Sequence, residues 1–519
     1  MPTDRLFLLC TVVLAACLFL GGGTRTGFLS DVIIQLLAIP LLLMALRRIA
    51  GLPSLKGARI ALLLCVGIAL VPVLQLIPLP PAVWTALPGR EGILEPLRLL
   101  GQELPWMPAS LSPRATWLSA LSLLPPVAIF LAMLLLGYRE RRTLTLLLVG
   151  FGVLSAFIGL AQVAEGQSSS LRFYAITNLS EAVGFFANRN HFAATLYAFT
   201  LLAAAWAVEA ASPPRVGATR LETRWLVPVA ASLTALAVLV AAQAMARSRA
   251  GLGLTVAALV GATAIALRDR RSASGVTPAK LLLGCAAGAI IYATQFALHR
   301  IADRFSGDPM SDARLPIGRI TSEAAQQLMP LGAGMGTFVP VYGLQERPTD
   351  APLDAYVNRA HNDLLELWLE TGIVGPALAA GALIWLIVRT VRLWRNEADG
   401  ADVDLAIARA ASIVLALIGA HSLVDYPLRT GAVMAITALA SGLLVAPLTG
   451  AQWEPPARVS SPSRRSRSRR RPARPRPDPT ADLPAPAPPP AVPVTADAPN
   501  QQHPPERWGN DIEWPKNWR

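Results

Sequence analysis

About twelve stretches of this chain are apolar and long enough to cross roughly 30 Å of hydrocarbon as helices. In order they fall near 6–23, 28–46, 58–79, 116–137, 142–163, 188–209, 224–245, 250–268, 280–298, 364–391, 406–424 and 431–448. Inside lipid each backbone polar group must be satisfied by its own segment, so a chain patterned this way folds as packed α-helices. The sequence therefore predicts an all-α polytopic membrane protein with one long loop, 299–363, between the ninth and tenth spans. Composition agrees: 53% of residues are hydrophobic and 15% charged, with a mean hydropathy of +0.46. That excludes an ordinary soluble domain.

Leu14-Ala15-Ala16-Cys17 has the form of a lipoprotein cleavage box. The apolar run continues through Leu18-Phe19-Leu20, so 1–23 reads as a retained first span. All four cysteines, Cys10, Cys17, Cys65 and Cys285, lie in apolar runs without C-x-x-C spacing. Neither a disulfide framework nor a metal site is expected from them.

Arginine and lysine set the orientation. With an even number of spans and both termini in the cytoplasm, Arg47, Arg48, Lys56 and Arg59 fall inside. So do Arg139, Arg141 and Arg142; Arg215, Arg220 and Arg224; Arg268, Arg270, Arg271 and Lys280; and Arg389, Arg392 and Arg395. The loops 80–115, 164–187 and 299–363 then face outward, into the periplasm of a Gram-negative cell, and the expected location is the inner membrane. The formal net charge of +13 follows largely from these loops and the tail, and points to anionic lipid heads as partners, not nucleic acid.

Three regions are expected. Residues 1–180 hold the N-terminal spans, with 80–115 as an interfacial cap carrying Trp84, Trp106 and Trp117. Residues 181–449 hold the remaining spans and the long loop. From 450 onward a basic run at Arg464–Arg471 and a proline-alanine tract predict a disordered cytoplasmic tail, with Trp508, Trp514 and Trp518 as a possible partner-binding end.

Candidate chemistry gathers on the outer face. Arg247-Ser248-Arg249 breaks the orientation rule. The two arginines either snorkel at a helix end or hold an anion at the membrane surface, where a guanidinium fork suits phosphate oxygens. Arg314 and Arg319 in the long loop are further cations for such an anion, or simply solvated. The turn Gly332-Ala333-Gly334-Met335-Gly336 allows either a tight bend or close approach of backbone to a ligand. His361 stands where the loop enters the next helix. If that helix starts near Arg359, then Arg359, Asp363, Glu366 and Glu370 form one polar stripe, Asp363 being a possible N-cap, and His361 points away from it. The stripe could be the wet face of an interfacial helix. A histidine between phosphate-binding arginines could act as general base. Asn188-Arg189-Asn190-His191 and the segment His421–Arg429, with Asp425 and Tyr426, supply supporting polar groups at the same face.

Asp402-Val403-Asp404 has the form of a metal-nucleotide motif but sits on the cytoplasmic side before a span, where helix capping explains it. No H-E-x-x-H, G-x-S-x-G or phosphate-loop pattern is present.

Over 180–430 the sequence resembles the O-antigen ligase and polymerase family of bacterial envelope glycosyltransferases. The resemblance rests on Gly184-Phe185-Phe186-Ala187-Asn188-Arg189-Asn190-His191-Phe192, Ser248-Arg249-Ala250-Gly251, Gly318-Arg319 with Gly332–Phe338, and His361-Asn362-Asp363 with Glu370-Thr371-Gly372. It implies transfer of a glycan from undecaprenyl diphosphate to a hydroxyl acceptor without metal or cofactor. His361 would be the activating base, with Arg249 and Arg319 on the diphosphate. Arg189, Asn190, His191, Gly334, Gly336, Asn362, Asp363, Glu370 and Asp425 would support the site. Ala250 stands where the second motif usually carries glycine, and Arg247 is a competing cation.

The acceptor could be another lipid-linked repeat, lipid A core or a protein hydroxyl. Two other classes remain open: a polysaccharide transporter or flippase, and a non-catalytic factor serving polysaccharide assembly partners. A transporter would place ionisable groups near the bilayer midplane.

Overall fold

The computed structural model describes residues 4–25, 27–210, 223–268, 309–347, 357–395 and 404–449, without the side chains of 223–226 and 309–313. The predicted ninth span 280–298, loop residues 299–308 and 348–356, and the tail from 450 lie outside the described residues. In chain order the helices begin with α1 (Arg5–Leu20), α2 (Leu29–Ala50), α3 (Arg59–Gln75), α4 (Pro81–Trp84), α5 (Glu91–Leu99), α6 (Pro113–Ser122), α7 (Leu124–Leu135), α8 (Tyr138–Glu165) and α9 (Arg189–Ala210). They continue with α10 (Thr223–Ala246), α11 (Arg249–Arg268), α12 (Pro309–Gln327), α13 (Phe338–Gln345), α14 (Asp363–Thr371), α15 (Val374–Arg395), α16 (Leu405–His421) and α17 (Gly431–Leu443). Among the described residues, eight helical segments are long and apolar enough to cross a membrane, and α1, α16 and α17 are shorter apolar helices. The described residues are mostly helical, as expected of a multi-pass membrane protein.

Helix α9 is the centre of the bundle, buried along nearly its whole length. Its run of alanines from Ala203 to Ala205 is buried, as small side chains let neighbouring backbones approach. The outer helices show the reverse pattern. Leu36 and Leu43 on α2, Ile60 and Leu63 on α3, and Leu383 and Ile384 on α15 are exposed apolar side chains, the surface that lipid covers. Cys17 is buried within α1.

The two ends of the bundle differ in chemistry. At one end Arg48 makes a bidentate pair with Asp4, the N-cap of α1, with both contacts at 2.7 Å. At the same end Arg142 joins Glu209 to Asp404, Arg141 donates to the Val445 carbonyl just past α17, and Arg268 donates to the Trp394 carbonyl. Of these, Arg141 and Arg268 cap helix C-termini, where the dipole favours cations. The other end is closed by backbone bonds between chain segments: Ala432 N to Gly21 O, Ala187 N to Gly22 O and Ala182 N to Met245 O, at 3.0, 3.0 and 3.1 Å. His191, Arg247, His361 and Asp425 all lie at this end.

Segment 78–113 forms a cap here. A two-residue ribbon pairs Pro78–Leu79 with Met107–Pro108, and the buried Trp84 donates to Pro105 O at 2.8 Å. Trp106 and Trp117 are exposed, as expected of interfacial aromatics.

Two expectations change. The predicted span 364–391 is two helices, α14 and α15, broken at Gly372, whose φ is +57°. A Cβ at Gly372 would lie 1.8 Å from the Pro330 carbonyl oxygen, so only glycine lets the chain pass here. The long loop, in turn, contains α12 and α13, which bury Ile317, Ile320, Ala324, Leu328, Phe338 and Tyr342 with Leu369 of α14 in a small core of their own.

Candidate active site

The glycine turn anchors the site from below. Gly332, Gly334 and Gly336 all have positive φ, and a Cβ at Gly334 or Gly336 would lie 2.4 or 2.3 Å from the hydroxyl of Ser110 or Ser119. Of the two sequence alternatives, the tight bend is what these contacts fit. Leu111 N donates to Ala333 O, Thr116 Oγ1 to Met335 O, and Gly334 N to Glu370 O, at 2.7, 2.8 and 2.8 Å. Gln75 bridges the turn and α14 by donating to Glu370 O and accepting from Met335 N, both at 2.9 Å. The cap, the glycine turn and α14 are thus one hydrogen-bonded unit.

Helix α14 starts four residues later than the polar-stripe argument placed it. Asn362, not Asp363, is the N-cap, its side-chain oxygen accepting from Leu364 N and Leu365 N at 3.0 Å. Its amide also donates to Leu423 O at 2.9 Å. Asp363, Glu366 and Glu370 share one face of α14, and that face is buried rather than wet. Arg359 lies outside the helix but reaches back to Glu366 at 2.8 Å.

Arg429 supplies the second cation. Its guanidinium meets Glu370 at 2.8 Å, Asp363 at 3.4 Å and Glu366 at 3.5 Å. Asp363 further accepts from the Ser422 hydroxyl and Leu428 N. Burial works against every charge here, yet the carboxylates hold Arg429 above its ordinary range and the two arginines hold Glu366 below its own. Burial pushes Asp363 up to about 7, against the pull of Arg429, and raises Glu370 as well. Three carboxylates face two guanidiniums, so one shared proton near neutral pH makes the group electrically even.

This ion-pair group clamps the strap that carries His361. Ala360 N donates to Glu366 at 3.0 Å, and Asp363 N donates to Ser422 O at 2.8 Å. Between those fixed points His361 takes φ +52°, a left-handed conformation uncommon outside glycine. The turn of backbone directs its ring onto the α16–α17 connection, where Nδ1 lies 3.2 Å from Oδ1 of Asp425. Burial would raise Asp425, but the His361 hydrogen bond and the fields of His191, His361 and His421 outweigh it and hold the carboxyl well below its usual range. A carboxylate oxygen accepts, so Nδ1 is the donor of this bond and Nε2 is left out of it.

Tyr426 packs between two imidazoles, its ring centroid 5.0 Å from that of His361 and 4.8 Å from that of His191, both edge-on. Burial and the Asp425 charge push the Tyr426 hydroxyl up to about 12, so it stays neutral while accepting from Asn188. His191 is fully buried on the first turn of α9. Arg189 pairs with Glu181, and Asn190 N closes a turn onto the Asn188 side chain.

The candidate phosphate arginines lie in the α10–α11 turn, at the start of α11 and on α12. Arg247 has φ +51° in the α10–α11 turn, which Ala182 N fixes through Met245 O. Ser248 receives Gly251 N at 3.0 Å, and Arg249 is exposed as the first residue of α11. Arg314 is exposed on α12 yet near enough for its charge to act on His421. Arg319 is on the exposed face of the same helix, 4.0 Å from Glu323 one turn on. Arg429 is the residue that sequence reasoning named only as the end of a cluster. Its spacing from Asp425 carries no signal, because its partners come from α14. Among the described residues, no group of three or more histidine, cysteine, aspartate or glutamate side chains is arranged to hold a metal ion.

Residues 233–380 match the O-Antigen ligase family model. The match spans α10 to the start of α15, so Arg247, Arg249, Arg314, Arg319 and His361 fall within it, while His191 and Asp425 fall outside. No curated protein matches the chain.

Proposed function

From the match of residues 233–380 to the O-Antigen ligase family model, we propose that this chain transfers glycan from undecaprenyl diphosphate to a hydroxyl acceptor at the periplasmic face of the inner membrane. In this reading the arginine-rich end and both termini face the cytoplasm, an orientation that the positive-inside rule supports. The site end then meets the outer leaflet, at the depth of a lipid-linked diphosphate. Its partners are that donor, a glycan, lipid A core or protein hydroxyl acceptor, and the membrane lipids themselves. The donor is a substrate, and no cofactor is called for.

The supporting observation is the His361–Asp425 pair. His361 Nε2 takes the proton of the acceptor hydroxyl as its oxygen bonds to the anomeric carbon. The carbon–oxygen bond to the diphosphate breaks and its electron pair leaves on the phosphate. Arg249 and Arg319 hold that diphosphate, with Arg247 and Arg314 as flanking cations. The guanidinium fork stabilises the charge that a metal would otherwise neutralise. Displacement from the face opposite the leaving group inverts the anomeric centre.

Purified protein in a lipid bilayer, given the lipid-linked glycan that accumulates in a cell deleted for it, tests this reading. Stoichiometric release of undecaprenyl diphosphate with inverted product is expected. Transport of the glycan without cleavage, or a retained anomeric centre, would contradict it.

A further inference from the structure

Behind the His361–Asp425 pair lie several buried polar atoms without a partner among the described residues: both ring nitrogens of His191, Nε2 of His421 and Oδ2 of Asp425, of which the last two belong to one helical turn. Oδ2 of Asp425 is an acceptor with no donor among the described residues, and Nε2 of His421 has no partner among them either. Both residues are almost completely buried. An orphaned buried polar atom is destabilising, and more so when it is charged.

The tautomer of His421 follows from its other nitrogen. Nδ1 lies 3.3 Å from the Tyr197 hydroxyl, itself buried on α9. Nδ1 is the one partner of that hydroxyl among the described residues, so the hydroxyl donates and the imidazole proton sits on Nε2. A donor without an acceptor therefore stands four residues before an acceptor without a donor. The backbone already brings them together: Asp425 N is bonded to His421 O at 2.9 Å, a helical turn that sets side chains four residues apart on one side. Besides Tyr197 and Asp425, the charged or titratable groups that act on this histidine or its partner are Arg314 on α12, His191 on α9 and His361.

Resting on the function proposed above, we propose that His421 is a positioning residue for His361. Its Nε2–H is hydrogen-bonded to Oδ2 of Asp425 in the working enzyme, with Tyr197 selecting the tautomer. Asp425 is then held at both oxygens and cannot swing its carboxylate away from His361. The chain runs from Tyr197 through His421 and Asp425 to His361, from the buried middle of the bundle to the site. His421 touches no substrate.

The test compares His421→Phe, which keeps a ring and loses the donor, with His421→Gln, which keeps a donor and loses the ring. Each is purified, checked for thermal stability and assayed with the lipid-linked glycan from a deleted cell. Positioning predicts that kcat of H421F falls roughly ten- to a hundredfold with KM within about twofold, the effect of one hydrogen bond to a charged group. H421Q retains more activity than H421F, and Tyr197→Phe shows a smaller loss. In an Asp425→Asn background, where the charged acceptor is gone, H421F costs less than about twofold more. A packing role predicts the reverse order, phenylalanine above glutamine, and additive losses with D425N. Either result overturns the proposal. Should His361→Ala in the same assay prove as active as wild type, the functional reading itself fails. H361A inactive with H421F unchanged refutes only the role of His421.

Discussion

His361 and Asp425 are 64 residues apart in sequence and 3.2 Å apart in space. The carboxylate sits behind the imidazole, on Nδ1, and in the proposed mechanism Nε2 is the nitrogen that meets the acceptor. For the proposed base this contact would fix the orientation of the ring, with Nδ1 donating to the buried Asp425. Asp425→Asn keeps shape and burial but can present an amide N–H to His361. Its kcat should fall about a hundredfold with KM little changed, read in steady-state transfer assays on protein of normal stability. Asp425→Ala should be no more active.

The diphosphate arginines should separate from the base in kinetics. Arg249→Ala and Arg319→Ala are expected to raise KM for the lipid-linked donor by about tenfold or more, because a charge-assisted pair to phosphate is lost. Arg249→Lys should recover only part of that, since an ammonium lacks the planar fork. Running Arg247→Ala and Arg314→Ala beside them identifies which cations reach the donor.

The ion-pair group on α14 should govern stability. Arg429→Leu leaves Asp363, Glu366 and Glu370 buried with one guanidinium, and breaking such a pair costs about 3–5 kcal/mol. Thermal unfolding and membrane level should both drop sharply. Replacing Arg429 together with Glu370 by apolar residues should restore part of the loss.

Asp363 adds a pH dependence with a definite sign. Its folded value of about 7 lies above its unfolded value of about 4, so its contribution is fully present below pH 4 and is lost as pH rises toward 7. Asp363→Asn has no such loss. The melting temperature of D363N relative to wild type should therefore climb from about pH 4 to pH 7 and level off above it.

Glycine positions give an internal contrast. Gly334→Ala meets the Ser110 hydroxyl at 2.4 Å with φ at +110°, whereas a Cβ at Gly343 meets nothing within 4 Å. G334A should lower thermal stability by more than about 1 kcal/mol and G343A should be tolerated. Adding Ser110→Gly to G334A should relieve the clash but not the backbone strain.

Much of the membrane architecture was readable from hydropathy, because lipid imposes one length and one polarity on every span. Helices α1 to α3, α8 to α11, α16 and α17 lie close to their predicted windows. The break at Gly372 was hidden, since Leu367–Leu369 and Ile373–Val374 continue the apolar run across it and the cause is the distant Pro330 carbonyl. The polar stripe was read with the right residues and the wrong surroundings: periodicity places Asp363, Glu366 and Glu370 on one face but says nothing of what covers it. Arg429 covers it, from a segment about 60 residues on. His361 stood out as a rare histidine at a loop end. Its pairing with Asp425 did not, because contact between a loop and a later helix connection leaves no periodic trace.

The most direct test of the account is glycan transfer in a cell lacking its own activity, comparing wild type with His361→Ala at matched membrane levels. The account predicts that H361A inserts normally, lowers transfer by roughly 10²–10⁴-fold and accumulates untransferred lipid-linked glycan. Transfer by H361A at the wild-type rate would contradict it.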